Sequence, residues 1–242
     1  PIRYAIVDEP RFNAVDLYND MIFALSWDSN TSRVYYNDWH GTNSYHELFR
    51  PTGYSNVPTK HGEALTAVSH TENNLLVLSL QRGFLGDVTM SAAGRVSLRW
   101  DPLAWRVGAV GPKAICEAGP WIYFLSERGP YRWREGLSEP QWIGRDLLAL
   151  FIDPTSGMCK LNPLAKNISE VAYDMAANVV RFSFACGGNT WPNIHLYYWI
   201  HDDVPDLDPA WGWFFGSQRI KAMDWGNALA GLNPDGTPVG PY

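Results

Sequence analysis

Four acidic residues, Asp16, Glu117, Asp174 and Asp224, stand at roughly matching places in a recurring strand–turn–strand pattern. Two carboxylates held a few ångströms apart are the machinery of glycoside hydrolysis, one acting as general acid and the other as base or nucleophile. Alternation along a strand can equally turn such residues into the adjoining turns, where Asp favours local hydrogen bonds. The pattern offers a catalytic pair without requiring one. No residue is assigned a catalytic, cofactor-binding or metal-binding role.

The other polar clusters are weaker. Asp202, Asp203, Asp206 and Asp208 lie within seven residues, a carboxylate density that suits Ca²⁺. The EF-hand register fails, however: its sixth position is not Gly, and its twelfth falls on Trp213 or Phe214. This stretch reads as a solvated loop. The histidines (His40, His46, His61, His70, His195 and His201) form no HxxxH or HExxH motif, so metal-ligand spacing is absent. Ser79, Ser126 and Ser183 lie outside any GxSxG context, and their repetition points to a structural role at strand ends. Gly108, Gly111, Gly187 and Gly188 read as turn glycines, since none opens a helix fit to hold phosphate. Cys116, Cys159 and Cys186 are far apart and odd in number, which predicts small buried thiols and folding in a reducing compartment.

The elements that must position these residues form a repeat. A small or β-branched residue opens each unit and a Ser follows twelve positions later: Ala14 and Ser26, Ala67 and Ser79, Ala114 and Ser126, Val171 and Ser183. A fifth unit begins at Ala222 with a shorter turn. Positions 14, 67, 114, 171 and 222 are spaced by 53, 47, 57 and 51 residues, so the internal offset is fixed while the loops vary. A strand-built period of about 50 residues marks β-propeller blades. The clearest unit is KAICEAGPWIYFLSERGPYRW, residues 113–133. There the apolar run Trp121 to Leu125 is bounded by the turns Ala118-Gly119-Pro120 and Arg128-Gly129-Pro130.

The bulk composition agrees. With 46% hydrophobic and 18% charged residues, the 242-residue chain is globular and able to bury a sizeable core. Its net charge of −6 argues against a nucleic-acid groove, which needs clustered Lys and Arg. No run of about 18 apolar residues is present to span a membrane. Twelve Trp either pack broad sheet interfaces or line a binding surface. The start at Pro1, without Met or a signal-like segment, suggests a domain trimmed from a longer chain.

Taken in order, the expected architecture is all-β. It is a single propeller of five blades, each of about four antiparallel strands, at 13–62, 63–110, 111–166, 167–217 and 218–242 with 1–10. The N-terminal strand RYAIV closes the last blade, removing exposed sheet edges. Within this scheme 50–62 is a blade-to-blade crossing loop, RGFLGD (82–87) is a turn, and Asp146 to Ile152 is a two-turn helix capped by Asp146.

VGAVGPKAICEAGPWIYFLSERGPYRWREG resembles a blade motif of virion structural proteins from tailed bacteriophages. The matching residues are Gly108, Gly111, Pro112, Ala114, Ile115, Gly119, Ile122 to Ser126, Gly129 and Tyr131. The resemblance extends over most of residues 60–215. It implies a tail, tail-tube or head–tail connector component, located in the virion tail after assembly in the host cytoplasm. Such a protein works as a homo-oligomer with other tail proteins, lets DNA pass without specific binding, and needs no enzyme activity or cofactor. The alternative from the acidic pattern is a glycan-binding propeller or a five-bladed glycoside hydrolase.

Overall fold

The computed structural model describes residues 12–26, 31–37, 49–91, 96–152, 160–200 and 211–215. Among these residues the strands form four separate four-stranded sheets, each an antiparallel meander in chain order. Blade 1 comprises β1 (Phe12–Tyr18), β2 (Met21–Ser26), β3 (Arg33–Asn37) and β4 (Phe49–Asn56). Blade 2 comprises β5 (Leu65–His70), β6 (Leu75–Ser79), β7 (Gly83–Met90) and β8 (Val96–Pro102). Blade 3 comprises β9 (Ile115–Ala118), β10 (Trp121–Ser126), β11 (Gly129–Trp133) and β12 (Gln141–Trp142). Blade 4 comprises β13 (Glu170–Asp174), β14 (Val179–Phe184), β15 (Ile194–Trp199) and β16 (Trp211–Phe215).

The twelve-residue offset is the register of the first hairpin in each blade. Ala14 pairs with Leu25, Ala67 with Leu78 and Val171 with Phe182, in each case the residue just before the conserved-offset Ser. In blade 3 the Leu125 N–H donates to the Ala114 carbonyl at 2.9 Å, the same relation. Small side chains at these positions let the first strands of successive blades approach. β1 packs beside β5, β5 beside β9 and β9 beside β13, and the Val171 N–H donates to the Lys113 carbonyl at 2.8 Å. This is a β-propeller arrangement, with β1, β5, β9 and β13 as inner strands.

The second strands carry the core. Leu75 to Leu78, Ile122 to Leu125 and Val179 to Phe184 are buried along their whole length, because a blade packs a neighbour on each face. One apolar cluster joins blades 2, 3 and 4, and a second joins blades 1 and 2. Trp105 and Trp133 meet edge-on at 4.9 Å within the first cluster.

Several local expectations are corrected. RGFLGD is not a turn: Gly83 and Gly86 lie inside β7, where a Cβ would stand 2.7 Å from the Trp105 ring and 2.5 Å from the Trp100 ring. Glycine there makes room for tryptophan and supplies no bend. The Pro- and Gly-rich stretch read as a crossing loop contributes β4 instead, an outer strand on which such residues are tolerated. The expected helix is a 3₁₀ segment, Arg145–Leu150, interrupted at Leu147; it is too short to sustain an α-helix. Cys186 is disulfide-bonded, against the expectation of unpaired thiols. The chain at Lys160 and Leu161 runs beside Cys186, bringing distant segments together where no sequence spacing signals a pair. Cys159 lies outside the described residues, as does the expected fifth blade at 218–242 with 1–10. No helix among the described residues is long and apolar enough to cross a membrane.

Candidate functional site

Three inner strands end in polar residues that converge. In β1, Ala14, Asp16 and Tyr18 alternate with Val15 and Leu17, so Asp16 faces blade 2. His70 is the last residue of β5, and Glu117 is the last but one of β9. His70 Nδ1 lies 2.9 Å from Asp16 Oδ2 and 3.0 Å from Glu117 Oε1. The hydroxyl of Ser69 donates to the same Glu117 oxygen at 2.5 Å, and the His70 backbone N–H donates to it at 3.1 Å. Glu117 is thus oriented by blade 2 before any ligand arrives.

The electrostatics are unbalanced. Two carboxylates share one imidazole, and a single Nδ1–H donates well to only one of them. Burial pushes the Asp16 carboxyl above its usual range; the hydrogen bond and charge of His70 pull it down, while Glu117 adds repulsion. The side chains of Asp16, His70 and Glu117 are 19%, 32% and 35% exposed, so the cluster is only half sheltered. It opens on a cleft of about 1090 Å³ lined from blades 1, 2 and 3, with Tyr18, Thr71, Arg134 and Glu135 among its walls. Glu135 accepts hydrogen bonds from Thr71 Oγ1 and Asn74 Nδ2, both at 2.7 Å, which fastens the blade 2 turn to blade 3.

Of the four acids singled out by the repeat, Asp16 and Glu117 meet here. Asp174 does not: its Oδ1 accepts the N–H groups of Ala176 and Ala177 at 3.0 and 3.2 Å, closing its own turn. Asp224 and the acidic stretch from Asp202 to Asp208 lie outside the described residues, as do His40, His46 and His201. The repeated serines are structural. Ser79 Oγ accepts the Arg82 N–H at 3.0 Å, and Ser126 Oγ accepts that of Arg128 at 3.4 Å. Ser183 Oγ lies 2.8 Å from Nδ1 of the buried His195. Burial, with the charge of Arg181, pushes that imidazole down to about 4. Cys116 is a free thiol whose pKa is raised by desolvation and by Glu117, so it is a weak nucleophile.

His70 is the member that motif spacing misses, because the three residues stand 54 and 47 positions apart. A usable signal exists in the repeat itself. His70 follows Ala67 by three, as Glu117 follows Ala114, and their strand partners Leu75 and Ile122 are equivalent. No known family model matches the sequence, and no curated protein matches it.

Proposed function

We propose that the chain is a structural component of a tailed-bacteriophage virion, in the tail or head–tail connector, working by assembly and not by catalysis. The observation that carries this reading is the outward face of β1. Val15 and Leu17 are 59% and 61% exposed there, while Ala14 and Tyr18 on the opposite face are buried against blade 2. An inner propeller strand normally has a blade on each side, and an open apolar face on one suits a further blade or a neighbouring subunit. In this reading a neighbouring copy covers that face, and copies assemble around the tail axis.

The residues of the phage-like motif serve the packing of the blades. Ala114 is buried at the inner strand, and Ile122 to Ser126 form the buried β10. Tyr131 stacks between Phe124 and Trp142. Gly111 abuts the Asn167 backbone, where a Cβ would stand 2.7 Å from its carbonyl oxygen. These are packing duties. The test is the mass of the native protein by light scattering on a size-exclusion column: the assembly reading expects several copies, reduced in a Val15→Asp/Leu17→Asp variant.

A glycan-binding or glycan-hydrolysing propeller is the second reading, favoured by the pairing of Asp16 with Glu117 beside a cleft. The aromatic residues speak against it. Trp121 carries the guanidinium groups of Arg132 and Arg134 over its ring at 4.2 and 5.0 Å. The exposed Trp191 and Trp199 belong to blade 4, whereas the cleft is lined from blades 1 to 3. Screening wild type, Asp16→Asn and Glu117→Gln against an oligosaccharide panel decides the matter. Saturable binding or hydrolysis that disappears in the folded variants favours the second reading over assembly alone.

A further inference from the structure

We propose that Asp16, His70 and Glu117 form a divalent transition-metal site that staples blades 1, 2 and 3 together at the mouth of the cleft. The inference stands independently of the assembly reading.

The donor set comes first. One imidazole nitrogen and two carboxylate oxygens suit Zn²⁺ or Mn²⁺, while Ca²⁺ and Mg²⁺ prefer all-oxygen shells. The spacing follows. All three ligand atoms lie within 4.8 Å of one another, with His70 Nδ1 at 2.9 and 3.0 Å from the two oxygens. Metal–ligand bonds of about 2.0–2.2 Å hold neighbouring ligand atoms about 3 Å apart in an octahedral site and about 3.4 Å apart in a tetrahedral one. Binding requires the two carboxylates to shift, with the Glu117 oxygen sharing or releasing the hydrogen bonds it accepts from Ser69 and the His70 N–H.

The surroundings are those of a metal centre as well. Ser69 Oγ and the His70 N–H fix Glu117 from the second layer, the kind of support that orients ligating carboxylates. Without a metal, two carboxylate oxygens crowd one imidazole nitrogen at 2.9 and 3.0 Å. A divalent cation neutralises both carboxylates. Exposure toward the cleft supplies an entry path and leaves coordination positions for water or for an oxygen of a bound molecule.

The experiment uses the full chain stripped with a chelator, then titrated calorimetrically with ZnCl₂ and separately with MnCl₂ at neutral pH, with melting temperature followed in parallel. One ion per chain and a rise in melting temperature are expected, since a ligand that binds only the folded state stabilises it. Glu117→Gln and His70→Ala should each weaken binding by about tenfold or more, the scale of losses seen around metal sites, with the metal-free melting temperature close to wild type. The isosteric Glu117→Gln keeps the test valid if His70→Ala folds poorly. Asp174→Asn should leave binding unchanged. The proposal is overturned if neither ion binds saturably, or if one-to-one binding persists undiminished in the Asp16→Asn/His70→Ala/Glu117→Gln triple variant.

Discussion

Two histidines of this propeller each sit beside polar partners, in opposite settings. His195 lies on β15 directly across from Ser183 on β14, in mid-sheet, and is sealed from solvent. His70 stands at the end of β5, where three blades meet and a cleft opens. Burial suppresses the charge of His195, leaving a neutral ring bonded to a hydroxyl. At His70 two carboxylates take the place of the hydroxyl, and solvent reaches all three groups. The difference teaches that position along the strand, mid-sheet or strand end, decides whether a polar pair is sealed into the packing or left open to a cleft.

The largest effect should come from removing the His195 ring, and a far smaller one from removing that of His70. His195→Ala creates a buried cavity and strands the Ser183 hydroxyl, a loss of about 2–4 kcal/mol. His70→Ala removes partly exposed polar contacts to Asp16 and Glu117, worth no more than about 1 kcal/mol in a solvent-screened setting. Urea unfolding of both variants checks this, and equal losses would erase the contrast.

The pH dependence sharpens it. His195 has a folded pKa depressed from 6.5 to about 4, so the unfolded chain takes up its proton first as the solution is acidified. Its stabilising contribution is complete above 6.5 and drains away as pH falls toward 4, by about 3 kcal/mol in all. A His195→Asn variant should flatten the stability profile over that window, whereas His70→Ala should leave the acid-side loss in place. Unfolding curves at several pH values measure it.

An effect as small as that of His70 concerns Asp174, which occupies the strand-end place of Glu117 in blade 4 but caps its own turn. Asp174→Ala should lose about 1 kcal/mol, as expected for hydrogen bonds to a charged acceptor at a partly exposed turn. A clear change in the melting behaviour of the Asp16, His70 and Glu117 variants when combined with it would show that the two regions are coupled after all.

The repeat was legible because its fixed offset is a hairpin register, and registers are local. The same locality made the apolar run Trp121 to Leu125 readable as a strand, β10. What the sequence hid was long-range. Gly83 and Gly86 look like turn formers until Trp105 and Trp100 are seen lying against them. Cys186 gives no sign of a disulfide until the returning chain at Lys160 and Leu161 is placed beside it. Asp16 and Glu117 could be singled out by their place in the repeat, but His70 joins them only through packing between blades. Asp174 shares their pattern and differs in the turn that follows: Met175 to Asn178 offers free N–H groups close by, while Gly119 and Pro120 after Glu117 make a tight turn.

The measurement that bears most directly on function is the mass of the native protein in solution. Light scattering across a range of concentrations should return several copies per particle, with dissociation when Val15 and Leu17 become Asp. A monomer at every concentration, unchanged by those substitutions, would contradict the assembly account.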